Sequence, residues 1–153
     1  MKKIITVTHE DPKLRTFMIA MQMASAAIKF ADAQFSRKLG LSMIKYVALK
    51  GLIFAGGTMK HTDLARWTNT EKHNITALVA RMKKEDLVTT ERSTKDTRVV
   101  GITITRKGRE TFKKASPVAR NIMETLMRGI DEKAAAKFEK ILNIVKANIE
   151  QSS

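Results

Sequence analysis

The sequence contains no cysteine and no long hydrophobic run. The missing thiols exclude disulfide bonds, thiolate metal ligands and thiol redox sensing. The longest early uncharged stretch, residues 16–28, includes Gln22 and Ser25 and is too short to span a bilayer. The N-terminus also lacks the apolar core of a signal peptide. We therefore expect a cytoplasmic chain with no membrane association.

Motifs for catalysis and metal binding are also missing. The three histidines, His9, His61 and His73, are isolated from one another and from any ordered carboxylate cluster, which favours surface or packing roles over metal binding. No catalytic triad spacing or dinucleotide fingerprint occurs. The Gly-rich stretch at residues 56–60 lacks the spacing of a phosphate loop, and we interpret it as a turn into the next helix. We expect no cofactor and no enzymatic activity.

Acidic residues are scarce, since 15 Asp and Glu stand against 29 Lys and Arg, for a net charge of +14. The excess is +6 in residues 1–59, +7 in residues 60–114 and only +1 in residues 115–153. This favours a polyanionic partner for the first two thirds of the chain. Charge alone does not distinguish DNA from RNA or from an acidic membrane.

Residues 61–108 have the pattern of two short helices followed by a β-hairpin. A first helix around residues 62–65 ends at a break at residues 68–70, and the hydroxyl of Thr70 is expected to cap the second. An apolar stripe at helical spacing predicts the buried face of this second helix: Ile75, Leu78, Val79 and Met82.

The opposite face of this second helix is polar and unobstructed, as in a helix that enters a major groove. Its members can reach base edges or phosphates: Lys72, His73, Asn74, Thr76, Ala77, Arg81 and Lys84.

The hairpin that follows has a polar tip at residues 92–98. Its closing strand alternates, with Val100, Ile102 and Ile104 on one face. Asp96 is close enough in sequence to brace Arg98, and an arginine held at a hairpin tip suits the negative potential of a narrow minor groove.

These residues resemble the winged helix-turn-helix regulators of the MarR family. The matching positions are Leu64-Ala65, Ile75-Thr76, Val79, Arg81-Met82, Leu87-Val88, Asp96, Arg98, Ile102, Ile104-Thr105 and Lys107-Gly108. The Asp-x-Arg wing followed by Thr-x-Lys-Gly is the most specific part. The resemblance implies a homodimer that presents two winged lobes to double-stranded DNA, with half-sites about 34 Å apart in a pseudo-palindromic operator.

The resemblance also implies roles for individual residues. His73, Asn74 and Thr76 would read bases or adjacent phosphates, and Arg98 would enter the minor groove with Asp96 as its brace. Further DNA contacts are expected at Thr62, Lys72, Ala77, Arg81, Lys84 and Lys95. Three positions depart from many relatives: Asp86 replaces Gly, Ala80 replaces Asp and Thr90 replaces Arg. Asp tolerates a left-handed turn. The changes at Ala80 and Thr90 put the usual helix-to-wing salt links and one phosphate contact in doubt.

The flanking segments predict long helices. Asp11-Pro12 starts the first, which Gly40 ends; Ser42 starts the second. Thr105 caps a helix that Ser116-Pro117 should kink or divide, and Asp131 caps the last. The predicted fold is mainly α with a small β-hairpin wing. It forms one domain, residues 1–153, with a winged helix-turn-helix at 41–105 and mainly dimerisation helices at 1–40 and 106–153.

The function predicted from these features is a ligand-responsive repressor of transcription. The family resemblance implies a small aromatic or anionic effector in a cleft bordered by Phe30, Met43, Tyr46 and Phe112. Two alternatives stay open: a sequence-tolerant, nucleoid-like DNA-binding protein, favoured by the high charge, and a protein-docking dimer without DNA function.

Overall fold

The computed structural model describes residues 11–92 and 100–152, without the side chains of Lys72 and Arg92. These ranges contain α1 Pro12–Leu39, α2 Met43–Phe54, β1 Thr58–Lys60, α3 His61–Trp67, α4 Lys72–Lys84, β2 Val88–Arg92, β3 Val100–Ile104, α5 Arg106–Leu126 and α6 Glu132–Ser152. The chain divides into two compact units after Ile122. None of the helices within the described ranges is both long and apolar enough to cross a membrane.

The first two helices begin and end mostly as the sequence predicts. Asp11 caps α1 by accepting a hydrogen bond from the Lys13 N–H at 2.8 Å, and Gly40 ends it in the left-handed conformation. Ser42 occupies the N-cap position of α2, but its side chain makes no capping bond. The carboxylate of Asp32, on α1, accepts from the Met43 N–H at 2.8 Å instead, so a tertiary contact supplies that cap.

The sheet has three antiparallel strands in the order β1-β3-β2. The predicted hairpin is present as β2 and β3, with Val88 opposite Ile104. The interpretation of residues 56–60 as a simple turn was wrong, because Thr58–Lys60 forms β1 and pairs with β3. The hydroxyls of Thr58 and Thr103 lie 3.0 Å apart across this pair. The third strand therefore ties the base of the hairpin to the start of α3.

The core of the first unit is formed by residues of α1 to α5 and the inner face of the sheet. Its fully buried side chains include Leu49, Leu52, Leu64, Ile75, Met82 and Ile102. The stripe predicted for α4 is confirmed, since each of its four members is at most 6% exposed. Burial of large aliphatic side chains provides the main stabilising free energy, about 1.5–3 kcal/mol each. The buried stripe therefore fixes which face of α4 is presented to solvent.

The helices after the sheet confirm two predicted caps and exclude division of the helix at Ser116-Pro117, one of the two predicted alternatives. The Thr105 hydroxyl accepts from the Gly108 N–H at 3.0 Å, and the Asp131 carboxylate accepts from the Ala134 N–H at 2.7 Å. Pro117 does not divide α5, which continues to Leu126. The helix stays continuous although Pro117 removes one backbone hydrogen bond, and Ala115 and Ile122 on either side of it are buried.

Candidate nucleic-acid interface

The polar face of α4 is the centre of the candidate interface. The described residues predicted to contact DNA on this helix are all exposed: His73, Asn74, Thr76, Ala77, Arg81 and Lys84. Lys72 is the first residue of the helix. Thr62 is exposed near the start of α3. The structure therefore gathers the six described α4 side chains on one helix face, while the role of each residue in DNA contact stays a prediction.

The turn before α4 is built differently from the sequence prediction. Thr70 does not cap α4, because its hydroxyl donates to the Thr68 carbonyl at 3.1 Å. Glu71 occupies the N-cap position without a side-chain capping bond. Asn69 has a φ of 48°, and the Thr68 hydroxyl donates to the Leu64 carbonyl at 2.8 Å. Local side-chain bonds thus use the threonine hydroxyls to close the turn between α3 and α4.

An indole ring fixes α3 against α2. The Trp67 Nε1–H donates to the Val47 carbonyl at 2.9 Å, and the ring lies against Gly51, where a β-carbon would come within 2.6 Å of it. Gly51 is therefore the position in α2 that allows the two helices to approach closely.

One residue from α3 contacts the polar face of α4, and the sequence pattern did not predict this contact. The Nε2 atom of His61, the first residue of α3, lies 3.3 Å from the Oγ1 atom of Thr76 on α4. The sequence pattern favours only a surface or packing role for His61. Because the two residues are 15 positions apart and on different helices, no periodicity or local spacing could have signalled this contact.

The C-terminal end of α4 is tied to α2 by an ion pair. The Lys45 ammonium contacts both carboxylate oxygens of Glu85, at 2.6 and 2.8 Å. The Lys45 side chain is 13% exposed and that of Glu85 is 46% exposed. Partial exposure keeps the net stabilisation modest, but two short hydrogen bonds define the distance between the helices.

Asp86, the residue after Glu85, confirms the prediction that Asp is tolerated where many relatives have Gly. Asp86 adopts the left-handed conformation, with a φ of 57°. Its carbonyl accepts a hydrogen bond from the Thr105 hydroxyl at 2.6 Å. The replacement of the usual glycine by Asp86 is therefore compatible with the turn from α4 into the wing.

The wing contributes its two strands to the described part of the site. Lys95, Asp96 and Arg98 lie outside the described residues. Their roles at the hairpin tip stay predictions from the sequence.

The four residues predicted to border an effector cleft all lie in the first unit. Phe30, Met43, Tyr46 and Phe112 are each partly buried and packed against its core. The Tyr46 ring stacks on Phe112 at a centroid distance of 5.3 Å and on Phe35 at 4.9 Å. These contacts make an aromatic wall between α1, α2 and α5. Across residues 11–92 and 100–152, no three His, Asp or Glu side chains cluster as metal ligands would.

Comparison with known proteins gives a family match and one curated relative. Residues 33–115, more than half of the chain, match the family described as transcriptional regulator SarA/Rot. The HTH-type transcriptional repressor IacR of Pseudomonas putida is 32% identical over 76 residues, which cover 50% of this chain and 46% of IacR. The match therefore spans about half the length of that relative.

Solved structures with low sequence identity share the fold. Sco3205, a MarR family transcriptional regulator from Streptomyces coelicolor solved in complex with DNA, has a TM-score of 0.84 at 18% identity, covering 96% of this chain and 92% of its own. The organohalide-sensing regulator RdhR, in its 2,4-dichlorophenol-bound form, has a TM-score of 0.80 at 20% identity, with coverages of 97% and 89%.

The expected fold class, mainly α with a winged helix-turn-helix, is confirmed by these likenesses. The family is one of regulators rather than enzymes, in agreement with the sequence prediction. The chain belongs to the SarA/Rot family of transcriptional regulators and has the winged helix-turn-helix fold of MarR regulators.

Proposed function

We propose that the chain is a sequence-specific, double-stranded DNA-binding repressor that acts as a homodimer. The observation that carries this proposal is the exposed polar face of α4, which the buried stripe of the same helix holds outward. The same fold in Sco3205 has been solved with DNA, and the partial relative IacR is named a repressor. A bound dimer would block a promoter sterically, in the cytoplasm where the DNA lies.

The proposed contacts divide into those that read bases and those that position the protein. Thr76, Asn74 and His73 would contact base edges or the adjacent phosphates, because they are polar groups on the exposed face of α4. Arg98 would enter the minor groove with Asp96 as its brace. Phosphate or supporting contacts are assigned to Thr62, Lys72, Ala77, Arg81, Lys84 and Lys95.

Homodimer formation is supported by apolar surface that a single chain leaves in solvent. Phe17, Met21 and Ile28 on α1 are each more than half exposed, and so are Phe138, Ile141 and Ile149 on α6. An exposed apolar face on a helix usually marks an interface, and a second copy is the simplest partner. Two-fold symmetry would then place the two α4 helices in successive major grooves and require a pseudo-palindromic operator.

The test is selection of bound fragments from a genomic library by the purified protein, at two salt concentrations. We expect a pseudo-palindrome for the native chain. Arg98→Ala should weaken binding to it by roughly 5- to 150-fold, corresponding to about 1–3 kcal/mol for a lost specific contact. Arg128→Ala serves as the matched control, because this exposed arginine lies in the C-terminal unit, and its operator affinity should stay near the native value.

Two other outcomes of the selection would contradict the proposal. Recovery of unselected DNA with a steep salt dependence would show that phosphate attraction dominates, as in a nucleoid-like protein. Failure to retain any DNA at moderate salt would favour a protein-docking dimer.

We further propose that a small aromatic or anionic effector binds at the wall formed by Tyr46 and Phe112, with Phe30 and Met43 at its border. The stacked rings support this, as does the 2,4-dichlorophenol bound by RdhR, a phenol of the same class. An effector that prefers a different spacing of the two lobes would lower operator affinity.

A panel of phenols and aromatic acids should therefore contain a compound that raises the melting temperature and weakens operator binding. At 100 times its dissociation constant the ligand would stabilise the protein by about 2.7 kcal/mol. Phe112→Leu should reduce this stabilisation, while Phe54→Leu, which alters an aromatic side chain 82% exposed elsewhere, should not. A panel in which no compound has both effects would count against an effector of this class.

A further inference from the structure

We propose that His61 is a specificity-determining residue that acts together with Thr76 on the same base step of the operator. This inference rests on the proposed DNA-reading role of α4. It adds to that role a side chain from α3, the helix that precedes the reading helix. The observation behind it is the 3.3 Å distance between His61 Nε2 and Thr76 Oγ1.

Both side chains are held by the backbone elements that carry them. His61 directly follows β1, whose Lys60 is opposite Gly101 in the sheet, so the start of α3 is fixed by strand pairing. Thr76 directly follows Ile75, which is fully buried. The imidazole is half-buried and the threonine is exposed. The ring is therefore held at the edge of the exposed face of α4, where a bound base pair would meet it.

The chemistry of the pair suits recognition of a base edge. A base or phosphate that Thr76 contacts would lie about 3 Å from its Oγ1 atom, and so within roughly 6 Å of the His61 Nε2 atom. An imidazole can donate to guanine N7 or O6, to thymine O4 or to a phosphate, and its neutral form can also accept. Two side chains in contact at one base step should have coupled, non-additive effects on affinity.

The experiment measures base preference at every operator position for the full-length protein and four variants at one pH and salt concentration. The variants are His61→Phe, which keeps the ring without its nitrogens, His61→Gln, which restores a polar group of similar reach, Thr76→Val, and the double variant His61→Phe with Thr76→Val. We expect His61→Phe to reduce discrimination about 5- to 100-fold at the same one or two positions that Thr76→Val affects. His61→Gln should retain part of it, and the double variant should resemble the single ones.

Lys84→Ala is the control, because loss of a phosphate contact from the exposed end of α4 should lower affinity about equally for all sequences. Thermal melting of each variant separates loss of folded protein from loss of base preference. A native base preference that survives His61→Phe, or additive effects of the two substitutions, would overturn this inference alone. Absence of any base preference in the native protein would overturn the proposed function as well.

Discussion

Gly108→Ala is expected to destabilise the first unit by about 3 kcal/mol, the upper part of the usual range for an overpacked site. A β-carbon at Gly108 would overlap the Leu87 carbonyl oxygen and come within 2.8 Å of the Ile104 side chain. The Leu87 carbonyl cannot move away without losing a hydrogen bond, because it accepts one from the Thr105 N–H at 3.1 Å. The substitution would therefore separate α5 from the base of the wing.

Gly101→Ala is the matched control for this substitution. Its β-carbon would meet the Glu91 carbonyl oxygen at 3.7 Å, an ordinary van der Waals distance, and it lies in β3 of the same sheet. Urea denaturation should show a much lower midpoint for Gly108→Ala than for Gly101→Ala, with little change in the m-value if unfolding stays cooperative. Equal midpoints for the two variants would show that the backbone at Gly108 relaxes at little cost.

The parts of the fold that sequence reasoning predicted are those encoded by local spacing. The period of Ile75, Leu78 and Met82 gives the buried face of α4 directly, because burial on a helix follows its 3.6-residue repeat. The caps at Asp11 and Asp131 were predicted because a carboxylate beside free backbone N–H groups has few better partners. The same periodicity predicts the exposed face of α4. It therefore also predicts most of the candidate site, because most of the predicted DNA contacts lie on that face.

The predictions that failed depended on partners distant in sequence or on competing local bonds. The sequence predicts Thr70 as the cap of α4, but its hydroxyl donates to the Thr68 carbonyl instead. Strand β1 has only three residues, too few for an alternating pattern, and it exists because β3 supplies its partner some 45 positions later. The contact between His61 and Thr76 has the same origin. Contacts between residues distant in sequence complete the candidate site, and the sequence pattern does not encode them.

Ile141→Glu is expected to convert the protein to a monomer that has lost most of its operator affinity. Ile141 is 56% exposed in the single chain and belongs to the apolar stripe of α6, with Phe138, Leu142 and Val145. If this stripe forms the dimer interface, a carboxylate there would lose its hydration without a partner, at a cost of several kcal/mol. We expect the dimer dissociation constant to rise by at least about 100-fold, which corresponds to about 2.7 kcal/mol.

The loss of DNA binding should exceed the change in any single contact, because two linked half-site contacts raise affinity by about 10²–10⁴ over one. Ala147→Glu is the matched control, since it introduces the same charge on the side of α6 opposite the stripe. Sedimentation equilibrium and operator titration of both variants check the prediction. A dimeric Ile141→Glu protein with native operator affinity would mean that the stripe on α6 lies outside the interface. The interface would then involve the exposed apolar residues of α1 instead.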